Sequence, residues 1–249
     1  MYPSFLKVIT LDNCESTNTY LKSQYQILKE FSPVLVTSNQ QTAGRGRDTR
    51  TWVSSRGKGL YSTFGFRLNS TDNVHLLPLT VGISVIKTLH TLCDITGTLK
   101  WPNDILFNRK KLAGILIENI FSQNEIFCIA GIGINLNHTT LDFPPHLEHK
   151  AISLKMITGR ERDYRADEFN PTLAEIIFQW IEKMKIDSDQ IIDIANHYVR
   201  FMISESITFH QSTTQEMMKG IFKGIHRSGG AVIELENGDS TIYYSGEIV

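Results

Sequence analysis

Three β-rich runs follow one another in the middle of the chain: "DILFN" from Asp104, "KLAGILIE" from Lys111 and "IFCIAGIGINLN" from Ile126. The intervening "FNRKK" reads as a hairpin turn, which makes the first two antiparallel neighbours. A sheet is therefore unavoidable, and three further runs can join it: "FLKVITLD", "PVLVTS" and "LYSTFGFR". Helical patterns supply its cover. Ser16 to Glu30 reads as a helix entered through Ser, Thr and Asn, which favour helix starts. "LLPLTVGISVIKTLHTLC" carries apolar positions at helical spacing, interrupted early by Pro78 and Gly82. Asn170 and Pro171 suit an N-cap and first helical position. Leu173, Ile176, Ile177, Trp180, Ile181 and Met184 then share one core-facing stripe, and "QIIDIANHYVRFM" forms a further helix. The fold class is α+β, a mixed β sheet backed by helices.

From Ile203 the pattern becomes all β: "SITFH", "MKGIFKGI", "AVIELE" and "TIYY". "SGG" and "ENGD" mark hairpin turns, the second with the Asn-Gly pair that type I′ geometry favours. This divides the chain into residues 1–202 and a small barrel, 203–249. No internal repeat or low-complexity segment is present.

One segment stands apart. "QQTAGRGRDTRTWVSSRGKG", Gln40 to Gly59, holds Arg45, Arg47, Arg50, Arg56 and Lys58 against Asp48 alone, in a chain of formal charge −1. A pI near 6.7 argues against a long nucleic-acid backbone as main partner, so this local charge calls for a small polyanion. The phosphate-loop pattern GxxxxGK[ST] is not met, because Trp52 stands at its first glycine and Gly59 at its last position. The dinucleotide pattern GxGxxG fails at Thr49. Phosphate would here meet guanidinium forks and exposed N–H groups. Taken alone, "GRGR" fits a solvated turn or a weak nucleic-acid contact equally well. The separated Cys14, Cys93 and Cys128 argue against a disulfide framework and fit a reducing cytosol. No signal peptide and no apolar run of about 20 residues is evident, so a cytoplasmic protein without a membrane span is expected.

Five motifs resolve the ambiguity: "ESTN" at 15–18, "QTAGRGR" at 41–47, "KWPND" at 100–104, "KLAGIL" at 111–116 and "GIGINLN" at 131–137. In that order they resemble the biotin protein ligases, enzymes that attach biotin to a lysine of a carboxylase carrier domain. The resemblance runs through nearly the whole chain. It implies the catalytic fold shared with lipoate ligases and class II aminoacyl-tRNA synthetases, followed by an SH3-like barrel. It also implies two steps. Biotin's carboxylate attacks the α-phosphorus of ATP, giving biotinyl-5′-AMP and pyrophosphate; a lysine of a biotin carboxyl carrier domain, as in acetyl-CoA carboxylase, then displaces AMP.

The resemblance assigns Ser16, Thr17 and Asn18 to biotin's ureido ring, with helix capping as their structural alternative, and brings Gln41 to the same ring. It wraps Arg45, Gly46 and Arg47 around the valeryl chain and phosphate. Lys111 becomes the central cation, against the alternative of an exposed turn lysine. Arg45, Arg47 and Lys111 are the catalytic set. Arg50, Trp52, Lys100, Asn103 and Asn135 fall on the ATP side, and Trp52 either stacks on adenine or pins the loop to the core. Asn103 and Asp104 orient nucleotide or magnesium.

Magnesium is expected with ATP, held by phosphate oxygens and water, and no protein metal ligand is assigned. "HLEH", His146 to His149, reads as a surface loop after two prolines. The motifs begin so near Met1 that the winged helix of some relatives is not expected, nor is DNA binding. "SGEIV" resembles the family's last strand and stops at Val249, which leaves open any nucleotide contact that relatives make beyond that point. The nearest rival is a lipoate or octanoate transferase; a nucleic-acid module is disfavoured by the lack of aromatic interleaving. A homodimer is left open.

Overall fold

The computed structural model describes residues 1–69, 72–122, 125–212, 214 and 216–248. Val249, to which the expectation about the chain's end refers, lies outside these residues. Strands β1 (Lys7–Leu11), β2 (Val34–Ser38), β3 (Gly59–Asn69), β4 (Thr98–Lys100), β5 (Asp104–Phe107), β6 (Lys110–Phe121) and β7 (Glu125–Asn135) build a seven-stranded sheet. Its order is β1-β2-β3-β7-β6-β5-β4, and only the β1–β2 pair is parallel, so the sheet is mixed as expected.

The period of two along β7 sorts its side chains between two layers. Cys128, Ala130, Ile132 and Ile134 join the main core, which includes side chains from α3 (Leu77–Cys93), α5 (Ala166–Ile186) and α6 (Ser188–Val199). Phe127 and Ile129 face the other way, onto a smaller core with Leu21 and Leu28 from α1 (Thr17–Ser23) and α2 (Tyr25–Leu28). Gly131, Gly133 and Asn135 continue that second face. With α4 (Leu154–Thr158), these are the α-helices among the described residues.

Contrary to the expectation of no such run, helix α3 with the turn before it is long and apolar enough by composition to cross a membrane. It is buried over most of its length in the core beside α5. Pro78 sits in its first turn, where the missing N–H costs nothing.

Two helix readings are corrected. Ser16 to Glu30 is not continuous: α1 ends at Ser23, α2 follows, and Lys29–Phe31 is a 3-10 turn. Helix α5 begins at Ala166, so Asn170 and Pro171 lie inside it rather than at its start. Asp167 and Glu168 favour the earlier start by complementing the helix dipole. Asn170 is buried, accepting from Ser62 Oγ at 2.9 Å and donating to Thr37 Oγ1 at 3.3 Å.

Strands β8 (Ser206–His210), β9 (Met217–Ile225), β10 (Ala231–Leu235), β11 (Ser240–Tyr243) and β12 (Glu247–Ile248) form a second, antiparallel sheet in the order β11-β10-β9-β8-β12. Trp101 Nε1 donates to Gly229 O at 3.0 Å, and Asn196 exchanges two 2.8 Å hydrogen bonds with the Ile225 backbone, tying the sheets' units together. The "ENGD" loop is not type I′, since Gly238 alone has positive φ there. Paired positive φ instead occurs at Asn108–Arg109, between β5 and β6, and at Asp48–Thr49.

Candidate active site

A cavity of about 590 Å³ opens beside β6 and β7 on the α1 face of the sheet. Ser16, Thr17, Asn18, Gln41, Arg45, Gly46, Arg47, Arg50, Trp52, Lys100, Asn103, Lys111 and Asn135 all line it. Motifs scattered over more than a hundred residues of sequence therefore converge on one space.

The floor is bare backbone. Gly114 and Gly133 are paired across β6 and β7, and the Trp52 indole lies over both. A Cβ at Gly133 would stand 2.4 Å from Trp52 Cε2, and one at Gly131 would stand 2.2 Å from Asn18 Oδ1. Only glycine lets these side chains lie so close. Trp52 thereby pins its loop to the sheet, the packing half of its two readings.

At the α1 end Ser16, Thr17 and Asn18 are buried, and the Thr17 and Asn18 side chains are hydrogen-bonded. Ser16 stands at the helix start, but its side chain makes no capping bond. Gln41 does that work: its Oε1 accepts from Thr17 N at 2.9 Å, while its Nε2 donates to Ser54 Oγ at 2.8 Å. Asn18 Oδ1 accepts from Thr63 Oγ1 at 2.7 Å, and its Nδ2 donates to Glu118 Oε2 at 3.1 Å.

The basic segment is a hairpin in its own right. Trp52 N donates to Gly44 O at 2.9 Å, Gly46 N to Arg50 O at 2.7 Å and Arg50 N to Arg47 O at 3.0 Å, around the Asp48–Thr49 turn. Of its five cations, three reach the cavity. Arg56 instead pairs with Asp12, at 2.9 Å between Nη2 and Oδ2, and Lys58 with Asp142 at 3.1 Å. Those two charges belong to the flanks of the segment.

The cavity cations differ in their partners. Arg45 meets Glu118 at 3.3 Å, Lys111 meets Asp104 at 2.7 Å, and Arg50 meets Glu247. Arg47 donates to neutral acceptors, Asn103 Oδ1 at 3.1 Å and Gly246 O at 2.9 Å. No carboxylate among the described residues forms an ion pair with Arg47, Lys100 or Lys150, although Asp104 and Glu247 lie near enough to act on Lys100. Burial pulls the Lys100 ammonium below its usual pKa, against the opposing pull of Asp104 and Glu247. Burial also pushes the Glu247 carboxyl up, but Arg50, with Lys100 and Lys111 nearby, outweighs it and holds the group below its ordinary value.

Lys111 is not a free turn lysine. The β5–β6 register shifts between Ile105 and Leu106, leaving a bulge beside it. Its N–H donates to Lys150 O at 2.7 Å, and its carbonyl accepts from Ile152 N at 3.0 Å and Asn135 Nδ2 at 3.3 Å. Asn135 thus fastens the backbone that carries Lys111. The ammonium lies 5.5 Å from the Trp52 ring centroid.

Several lining residues were not nominated from sequence: Gly131, Phe143, His149, Lys150 and Glu247. The "HLEH" segment is a run of turns, yet its His149 reaches the cavity. Phe143 is backed by the buried His138 ring, stacked at 4.9 Å, whose pKa burial pushes down to about 4. The alternation of "GIGIN" could have disclosed Gly131; nothing local marks Glu247, which comes from the second sheet.

Comparison with known proteins adds independent findings. The family model described as the biotin/lipoate A/B protein ligase family matches residues 11–137. The chain is 36% identical over 149 residues to the bifunctional ligase/repressor BirA of Bacillus spizizenii, covering 57% of this chain and 45% of that protein. It is 30% identical to a biotin–[acetyl-CoA-carboxylase] ligase of Mycobacterium tuberculosis, covering 66% of this chain and 62% of that one. The chain thus spans about half the length of the Bacillus relative. Among solved structures, the biotin protein ligase of Aquifex aeolicus in complex with biotin and ATP is similar over 98% of this chain and 97% of its own, with TM-score 0.79 and 30% identity.

Proposed function

This chain belongs to the biotin/lipoate A/B protein ligase family, and on that premise we propose that it is an ATP-dependent biotin protein ligase. The observation that carries the reading is one cavity with a buried end of hydroxyl and amide groups, bordered by the Glu118–Arg45 ion pair, and a second end lined by Arg47, Arg50, Lys100 and Lys111. A ureido ring, which both donates and accepts, suits Ser16, Thr17 and Asn18. A carboxylate and a polyphosphate suit Arg45, Arg47, Arg50, Lys100 and Lys111.

In the first step a biotin carboxylate oxygen attacks the α-phosphorus of ATP; the bond from that phosphorus to the bridging oxygen breaks, and pyrophosphate leaves. Two anions must meet, and fixed cations at the meeting point lower that barrier. Lys111 is the residue assigned there, since its backbone is held on both sides and its ammonium stands between Asp104 and Trp52. Arg47 and Lys100, with no ion pair to a carboxylate among the described residues, attract the phosphates. In the second step the carrier lysine's amine attacks the acyl carbon, the acyl–oxygen bond breaks and AMP leaves.

Magnesium accompanies ATP. Asp104 and Glu247 are the carboxylates lining the cavity, and no cluster of three or more potential ligands occurs among the described residues. That donor set suits an ion held chiefly by phosphate oxygens and water, in which magnesium neutralises phosphate charge. The partner is proposed to be the biotin carboxyl carrier domain of a carboxylase.

The test is isotope exchange of pyrophosphate into ATP, with biotin, lipoate and octanoate supplied separately. Biotin should stimulate exchange and the other two acids should not. Equal stimulation by lipoate or octanoate would transfer the chain to the lipoate branch of the family.

A further inference from the structure

Glu118 follows Gly114 and Leu116 on one face of β6, so it stands where the cavity ends against α1. Its carboxylate, with the side chain 16% exposed, gathers three groups from two other elements. Asn18 Nδ2 donates to Oε2 at 3.1 Å and Lys22 Nζ to Oε1 at 3.2 Å, both from α1. From the basic hairpin, Arg45 donates Nη1 to Oε2 at 3.3 Å and Nη2 to Oε1 at 3.4 Å. Asn18 and Arg45 line the cavity and have no direct bond to each other. Glu118 is their common anchor.

We propose that Glu118 is a positioning residue that holds Arg45 and Asn18 in register, and so sets affinity for the carboxylic-acid substrate rather than for the nucleotide. This rests on the ligase reading above. In that reading Asn18 meets the ring of biotin and Arg45 its acyl chain and carboxylate end. A forked guanidinium has many exposed rotamers, and two acceptor oxygens on a strand select among them. The same carboxylate fixes which way the Asn18 amide points: Nδ2 is committed to Glu118 and Leu116 O, leaving Oδ1 toward Thr63. Glu118 acts through these two side chains and need not touch the reacting atoms.

Glu118→Gln keeps the shape but puts an NH2 among three donors. Biotin affinity of the full chain, read by calorimetry, should weaken about tenfold, as expected for charge-assisted bonds, with the KM for ATP changed less than about twofold. In an Arg45→Ala background the same substitution should cost only about threefold, because its main route is gone. Glu118→Asp keeps the charge and should recover part of the loss; it carries the test should the Gln variant not fold, with biotin binding weakened and ATP unaffected. Wild-type biotin affinity in both Glu118 variants, an equal loss toward ATP, or an undiminished penalty without Arg45 would overturn the proposal. Failure of the unaltered protein to bind biotin is a separate outcome, which removes the ligase reading and this inference with it.

Discussion

Along β6 the cavity passes from Lys111 to the neighbourhood of Glu118, and its two ends are built differently. At the α1 end Ser16, Thr17 and Asn18 are each only 3% exposed, with the Thr17 and Asn18 side chains in hydrogen bonds to Gln41, Thr63 and Glu118. At the cationic end Lys100 is partly buried, but two of the side chains are long and open: Arg50 is 53% exposed and Lys111 37%. Their acidic partners come from β5 and from the last strand of the second sheet. The first end is a fixed mould. The second is a set of charges whose partners a stronger anion can replace. Shape recognition tolerates little movement, whereas charge recognition works through side chains that can turn toward their ligand.

The sharpest way to separate the two ends is to remove the cation assigned to the reaction. Lys111→Ala should lower biotin-dependent pyrophosphate exchange by about 10²–10³-fold, the scale of losing one fixed charge-stabilising group. Circular dichroism should be unchanged, since the backbone of residue 111 is held by Lys150, Ile152 and Asn135. An exchange rate near wild type in the folded variant would remove Lys111 from the reaction and leave it only its ion pair with Asp104.

A smaller effect is expected at the moulded end. In Gly131→Ala the new Cβ falls 2.2 Å from Asn18 Oδ1, and Asn18 must leave its place. The KM for biotin should rise about ten- to thirtyfold with the KM for ATP nearly constant, as for overpacking confined to one subsite. A rise in both constants would show that the two ends are mechanically one.

The smallest effect belongs to the clasp between the sheets. Gly246 has φ 146°, and a Cβ there would meet Phe209 Cζ at 2.3 Å, so this close approach requires glycine. Beside it Glu247 pairs with Arg50. Glu247→Gln should raise the KM for ATP about two- to fivefold and leave biotin untouched, because half-exposed ion pairs contribute little each. The acid limb follows from linkage. A carboxyl held below its ordinary value in the fold contributes above its unfolded value and loses that contribution as pH falls through the depressed one. The wild-type KM for ATP should therefore carry no Glu247-dependent rise above about pH 5. A Glu247-dependent rise near neutrality would contradict the assignment.

The sequence disclosed the moulded end better than the clasp. Ser16, Thr17 and Asn18 are adjacent in the chain, and the glycines facing them alternate with apolar residues along one strand, so local pattern marks both. The apolar spacing from Ser16 onward is continuous, yet the helix breaks at Gln24 between α1 and α2, both of which pack on the small core. Asn170-Pro171 is a helix-start signal in sequence; burial against Ser62 and Thr37 gives Asn170 another role. Arg56 and Lys58 belong to the basic segment by sequence, while Asp12 and Asp142, remote in sequence, draw them away from the cavity.

By itself the sequence determined the kinds of element and the motif residues that meet. Strand and helix periods follow from backbone geometry, and each is written into a few neighbouring side chains. Tertiary structure alone decided which carboxylate faces which cation: Asp104 for Lys111, Glu118 for Arg45, Glu247 for Arg50. An ion pair between residues from separate strands leaves no periodic trace in either. Its existence depends on how the sheets and hairpin pack, and that packing is what turns a basic stretch of sequence into a graded charge along one cavity.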